Sequence, residues 1–268
     1  MITFIIANKN RFDFIDRCIS SLNKVVHPKE IIVVDSMSTD GSLEFLTKYA
    51  DTLINEIDES VYEAWNKAIL CAQGDWIFFM NTDDELLHQN FDMLLDQLKR
   101  INTDLVSFYV EIVENTNNSK IRVLKPKFSF RNTISKPIVF NGILFKRSVF
   151  TKIGLFDQNF KFCADQDFIW RCLLEKLTIT FIPLRCYRYY SHPNSITLNG
   201  KINFFNEELR IAEKHLNRQL INDYNKFSKL WVSWERGSLK FPNHKLLRFI
   251  YRLFNPRLTI QQLYNILN

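Results

Sequence analysis

Residues 76–85 read Trp76-Ile77-Phe78-Phe79-Met80-Asn81-Thr82-Asp83-Asp84-Glu85, and the abrupt change after Met80 decides the fold class. Five successive apolar side chains without alternation describe a strand covered on both faces, as in a mainly parallel sheet flanked by helices. Three adjacent carboxylates beside such a strand repel one another unless a cation or a helix N-terminus offsets their charge. In open α/β sheets ligands lie beyond the carboxyl ends of the strands. The acidic segment therefore stands where a ligand is expected.

Outward from this stretch the same grammar repeats. Ile2–Ala7, Glu30–Asp35 and Thr52–Asn55 are short β-branched or apolar runs, followed by helix-period segments at Phe12–Leu22, Gly41–Ala50 and Ser60–Ala72, and Asn90–Arg100 follows the fourth strand. This predicts a βαβ series through about residue 105. Asp104–Leu124 then reads as two β-rich stretches around the turn-prone Asn115-Thr116-Asn117-Asn118, a hairpin. Beyond it come an apolar stretch at Ile138–Phe145, a short helix near Arg147–Ile153, a helix from about Asp165, a strand at Thr178–Ile182, and a helical pattern from Asn203 onward. No internal repeat or low-complexity tract interrupts the chain.

At 46% hydrophobic residues in 268 the chain can bury a full core. No apolar run approaches the roughly 20 residues that cross a bilayer, and the opening segment meets charge too early for a signal peptide. A cytoplasmic protein is expected. Five scattered cysteines without a C-x-x-C pair predict buried free thiols rather than disulfides or zinc. Residues 200–268 hold 12 Lys and Arg against 5 Asp and Glu, while residues 1–199 hold 23 against 24, so the net charge of +6 arises in the last quarter. In that quarter His244–Phe254 places Leu246, Phe249, Ile250 and Leu253 on one helical stripe and Lys245, Arg248 and Arg252 on another. Such a helix can lie on an anionic membrane surface, or pack on the catalytic domain or a partner chain.

Four strand ends deliver polar candidates: Asn8, Asp35 with Ser36, Asp58, and Asn81 to Asp84. Asp35 can accept a hydrogen bond from a base N–H or a ribose hydroxyl, whereas Ser38, Thr39 and Asp40 read as caps of the next helix. Ser60 and Glu63 form a capping box. Tyr62 and Asn66 lie one helical turn apart beside the apolar stripe, where Asn66 is either a satisfied core amide or a donor contact. A hard divalent ion takes one or two carboxylates and completes its shell with water and phosphate oxygens; Asp83 suits it, and Glu85 fits a helix start. Asp165 and Asp167 open an amphipathic helix, where one carboxylate complements the helix dipole and the other is available as a general base. His192 can meet a metal or a diphosphate, although a lone histidine is more often structural. Arg185 and Arg188 can bind phosphate or form a solvated edge.

Together these blocks resemble glycosyltransferase family 2, with its GT-A fold. Thr3-Phe4-Ile5-Ile6-Ala7-Asn8 resembles the family's opening strand, Glu30 to Ser42 its nucleotide-binding strand and turn, and Phe78 to Leu86 its D-x-D motif. Asp58 to Asp75 resembles the D-x-G-I-Y-D-A-M-N-K-G-I segment of bacterial surface-polysaccharide transferases, and Phe145 to Asp157 with Ala164 to Phe168 resembles the acceptor-side segment that carries the base. The likeness spans about residues 1–198. It implies a catalytic domain over 1–200, with the nucleotide sugar held by about 1–105 and the acceptor by about 106–200, and a basic helical extension over 201–268.

It further implies inverting transfer from a nucleotide-diphosphate sugar, with a UDP-sugar as donor and Mn²⁺ or Mg²⁺ as cofactor. The acceptor would be a glycan or polyprenyl-diphosphate-linked glycan, the surroundings the inner face of the cell membrane, and no nucleic acid is expected. Asp83 would bind the metal with His192 as a further ligand, Asp165 would be the base, and Ala7, Asn8, Asp35, Asp58, Tyr62, Asn66, Asn81, Thr82 and Asp84 would line the donor. Ser36 stands where many members have a second Asp, Asn81 replaces the first Asp of D-x-D, and Ala164 replaces the acidic residue before the base. No Q-x-x-R-W segment is present, so processive synthesis is not expected. A sugar nucleotidyltransferase would need a Gly- and Arg-rich loop after the first strand, and Asn8-Lys9-Asn10-Arg11 has no glycine. A non-catalytic glycan- or nucleic-acid-binding protein is favoured only by the basic tail.

Overall fold

The computed structural model describes residues 1–114, 120–126, 128, 139–191 and 201–215. The chain divides into two units, Met1–Lys201 and Ile202–Asn268. Of the second, only the helix Lys201–His215 is described; the amphipathic stretch His244–Phe254 and His192 lie outside the described residues.

The first unit opens with the expected series: β1 (Ile2–Asn8), α1 (Phe12–Asn23), β2 (Lys29–Asp35), α2 (Ser42–Leu46), β3 (Thr52–Asn55), α3 (Val61–Cys71), β4 (Trp76–Met80). A two-residue β5 (Glu85–Leu86), α4 (His88–Leu98), β6 (Leu105–Glu114) and β7 (Lys120–Leu124) follow. A 3₁₀ turn at Phe140–Gly142 leads into β8 (Ile143–Lys146), α5 (Arg147–Ile153), α6 (Ala164–Leu174) and β9 (Ile179–Ser191). All nine strands join one sheet in the order β3-β2-β1-β4-β8-β6-β9-β5, with β7 beside β6. The first four pair in parallel, and their matched register, Asn8 with Asp35 and Asp35 with Asn55, brings their carboxyl ends to one edge. The second half is mixed: β8 runs antiparallel to β4 and β6, and β6 runs parallel to β9. The predicted hairpin is the antiparallel pair β6–β7.

Strand β4 shows why the apolar run is unbroken. Successive side chains alternate across the sheet, so Phe78 enters one layer beside Phe4, Phe91 of α4, Phe108 and Tyr187. Phe79 enters the opposite layer against Trp65 of α3, Phe140, Phe150 and Phe156. Aromatic edges and faces meeting at such distances add to the burial of their surface. The sheet thus has two covered faces, α1 and α4 on one and α3, α5 and α6 on the other.

Two sequence expectations change here. The last strand was expected to stop at Ile182, yet β9 continues to Ser191. Pro183 falls among register irregularities between β6 and β9, where a missing ladder N–H is tolerated. The arginines beyond it answer carboxylates on neighbouring strands: Arg188 bonds Glu111 and Glu85, and Arg185 pairs with Glu111. They are cross-strand partners and not a bare phosphate site. Secondly, four cysteines are buried but Cys71 is exposed; all five are free thiols.

The turn into β4 is fixed by packing. Gly74 donates its N–H to Thr3 Oγ1, which donates to the buried Glu30. A Cβ on Gly74 would sit 2.6 Å from Thr3 Oγ1 and 2.7 Å from the Thr3 backbone nitrogen. Gly74→Ala is therefore expected to cost about 1–3 kcal/mol by overpacking, read as a lower urea midpoint; a wild-type midpoint would refute this account of the turn.

Candidate functional site

The loops after β1 and β2 are sewn together at the edge where the parallel strands end. Asn8 Nδ2 donates to Asp35 Oδ2 at 2.6 Å, Ser42 Oγ at 2.8 Å and Ser38 Oγ at 3.2 Å, and Asp35 Oδ1 accepts the Ser38 N–H at 2.7 Å. Ser38 Oγ also takes the Asn10 N–H, Asn10 Oδ1 takes the Thr39 N–H, and Asp40 Oδ2 takes the Phe12 N–H. Ser38 and Asp40 thus bridge two loops, and Asp40 also caps α2 as expected, its Oδ1 accepting the Ser42 N–H at 3.0 Å; the residue between Asp40 and Ser42, Gly41, lies in the left-handed region at φ 90°. Asp35 is wholly buried and Asn8 nearly so. Asp35 accepts protein hydrogen bonds at both oxygens, while Asn8 Oδ1 is a buried acceptor with no partner among the described residues. Ala7, one residue earlier, is partly exposed.

Asp58, beyond β3, donates its N–H to Ser36 Oγ and accepts from Lys67 Nζ at 2.6 Å. Burial raises its carboxyl above the usual range, against the opposing pull of Lys67. Its Oδ2 is buried without a described partner, an acceptor awaiting a donor at the same edge.

In the acidic segment the three carboxylates have three different surroundings. Asp84 is 0% exposed and accepts from Tyr187 Oη at 2.5 Å, the Tyr190 N–H at 2.9 Å and Asn81 Nδ2 at 3.0 Å. Burial and the neighbouring Asp83 charge push its carboxyl up to about 8, and the three donors act in the opposite direction. With no exposed surface and three protein groups holding it, Asp84 anchors the segment to β9. Glu85 accepts from Arg188 and from Tyr190 Oη. Asp83 is only partly buried. Its carbonyl accepts from Arg17, whose guanidinium lies 3.6 Å over the Tyr190 ring. Asn81 is half-exposed and Thr82 buried.

Among the described residues no group of three or more His, Cys, Asp or Glu is arranged to hold a metal. A hard ion can also be held by a single protein carboxylate, with water and substrate phosphate oxygens completing its shell, and Asp83 is a partly exposed carboxylate at the strand-end edge that could serve.

At the start of α3 the capping box forms in modified shape: Ser60 Oγ accepts the Glu63 N–H, but Glu63 reaches back to the Glu59 N–H. Asn66 clamps the backbone N–H and C=O of Phe156, both at 2.9 Å, and is 4% exposed. It is a core amide and not a donor contact, because both ends of the amide are used. Tyr62 is likewise turned inward, its hydroxyl within 2.9 Å of the Phe162 carbonyl and 3.0 Å of Asp165 Oδ1. The structure also separates the two candidate bases. Asp167 is 0% exposed and paired with Arg171 at 2.8 Å, whose guanidinium caps the end of α5 through the Ile153 and Leu155 carbonyls. Asp165 is half-exposed in the first turn of α6.

Tyr187, Asn141, Arg17 and Tyr190 were not legible in the sequence. Their partners lie tens of residues away, and an aromatic in a strand carries no mark of the hydroxyl bond it will make. Asn141 Nδ2 donates to Tyr187 Oη at 3.0 Å, so this hydroxyl joins the turn before β8 to Asp84. Tyr187→Phe removes a donor from a buried carboxylate and an acceptor from the Asn141 amide. We expect a loss of about 1–3 kcal/mol in chemical denaturation, and an unchanged midpoint would show that the network carries no stability.

The comparisons with known proteins bear on the fold and the family. The chain is 24% identical over 221 residues to the uncharacterized glycosyltransferase EpsJ of Bacillus subtilis, covering 74% of this chain and 63% of that protein. It therefore spans less than two thirds of that relative's length. Its fold is similar to S. aureus TarS 1-349 in complex with UDP-GlcNAc, with a TM-score of 0.62 at 18% identity over 83% of this chain and 70% of that one. It is also similar to the mannosyltransferase PcManGT from Pyrobaculum calidifontis in complex with GDP-Man and Mn²⁺, with a TM-score of 0.60 at 16% identity over 99% and 85%. The sequence model of glycosyl transferase family 2 matches residues 3–156, more than half of the chain, and with the GT-A architecture already on the page this match identifies the chain as a member of glycosyl transferase family 2.

Proposed function

We propose that this chain transfers a sugar, with inversion, from a nucleotide-diphosphate donor of the UDP-sugar class to a hydroxyl of a glycan or lipid-linked glycan acceptor, with Mn²⁺ or Mg²⁺ bound beside the donor. The observation that carries the reading is the contrast within two acidic pairs. In Asp83–Asp84 and in Asp165–Asp167 one carboxylate is fully buried among protein partners and the other reaches the surface. Buried members hold the loops; the outward members are the ones a substrate can touch.

Asp165 removes the proton from the acceptor hydroxyl as its oxygen bonds to the anomeric carbon. The bond from that carbon to the donor diphosphate breaks, and its electron pair leaves with the diphosphate. A single displacement of this kind inverts the anomeric centre. The metal, when bound at Asp83, offsets charge on the departing diphosphate. Asn81 and the edge near Ala7 face the donor, and the buried acceptors Asn8 Oδ1 and Asp58 Oδ2, which have no partner among the described residues, lie at the same edge. The surface-polysaccharide acceptor is supported by the resemblance of Asp58 to Asp75 to that branch of the family. Among the described residues no helix is long and apolar enough to cross a membrane.

Asp165→Asn is expected to lower turnover by about 10²–10⁴, the usual share of a general base, while nucleotide affinity stays near wild type; full turnover would sink the assignment. In calorimetry, wild type should bind UDP more tightly with Mn²⁺ than without, and Asp83→Ala should erase that difference. A metal effect that survives in Asp83→Ala would place the ion elsewhere.

A further inference from the structure

We propose that Tyr62 is a positioning residue: from the first turn of α3 its hydroxyl fixes the carboxylate of Asp165, at the start of α6, for acceptor deprotonation. The inference rests on the proposed role of Asp165 as base.

The hydroxyl has one proton and two acceptors, the Phe162 carbonyl at 2.9 Å and Asp165 Oδ1 at 3.0 Å. The proton is shared between them, so the hydroxyl sits at the junction of the carboxylate and the backbone that leads into α6. The ring cannot swing away, since it is 5% exposed and packed against Trp65 at 5.5 Å and Phe156 at 5.7 Å. One turn further along α3, Asn66 clamps the backbone of Phe156. A single face of α3 thus grips the segment that enters α6 at Phe156, at Phe162 and at Asp165. Asp165 Oδ1 also accepts the Gln166 N–H at 2.8 Å, so two donors meeting at one oxygen fix the rotation of the carboxylate. Burial and the Asp165 charge hold the phenol well above its usual range, and the group stays a donor. A side-chain contact to the donor sugar would need this hydroxyl turned outward. Here it serves the neighbouring catalytic group.

Placement of a base bears on turnover and not on nucleotide binding, because a small displacement of a reacting group is costly in rate. The test uses the full chain, Mn²⁺, and whichever of UDP-glucose, UDP-GlcNAc and GDP-mannose the wild type hydrolyses fastest. Tyr62→Phe keeps the ring and its packing. It should lower kcat about tenfold or more, the weight of a hydrogen bond to a charged group, while the Kd for the matching nucleoside diphosphate stays at the wild-type value. In an Asp165→Asn background the same substitution should bring no further loss, since its target is gone; a merely structural residue would add its cost in both backgrounds. Additive losses, or weakened nucleotide binding with kcat intact, would overturn the proposal. If Asp165→Asn keeps full turnover, the reading of the base falls and Tyr62 with it. If Asp165→Asn is inactive and Tyr62→Phe fully active, only the role of Tyr62 falls.

Discussion

A carboxylate with no exposed surface at the end of a core strand must be answered from the protein interior, and the Asp84 cluster is that answer. Tyr187 and the Tyr190 N–H from β9, with Asn81 from its own turn, converge on it. Leaving such a buried polar group without hydrogen-bond partners is costly. The cluster holds the segment after β4 against a strand that arrives about a hundred residues later, and so fixes where Asp83 stands. Asn141 joins the same hydroxyl, so the turn before β8 is bound into the arrangement as well.

The same division of labour recurs along the edge. Asp167 caps α5 through Arg171, which leaves Asp165 at the helix start. Asp35 and Asn8 knit two loops, which leaves the part-exposed Ala7 beside them. In each of these places a buried side chain holds the backbone next to a partly exposed residue. A site of this kind is built rigid from below, and its inner members are recruited from the same residue types as its outer ones.

That similarity is why the residues were harder to assign than the fold. The unbroken apolar run at Trp76–Met80, the β-branched strands before it and the βαβ rhythm were enough to place the parallel half, the hairpin and the strand-end location of the site. The family motifs then pointed to Asp35, Asp58, Asp83, Asp84 and Asp165 as the acidic candidates. They could not divide those groups into inner and outer members. Asn66 and Tyr62 share one stripe of α3, as their spacing requires, but that stripe faces the segment entering α6 and not a ligand. The extension of β9 past Pro183 was hidden because its arginines look like surface charge until Glu111 and Glu85 are seen opposite them.

Local pattern therefore determined the elements, their order and the edge on which chemistry gathers, because hydrophobic periodicity and strand-end polarity are written within a few residues of one another. Tertiary structure alone decided which carboxylate of each pair is buried, which hydroxyl holds Asp165, and how Asp84 is satisfied. Those outcomes depend on partners up to 106 residues apart, and desolvation, which sorts structural from exposed carboxylates, is a property of the packed interior that no stretch of sequence carries by itself.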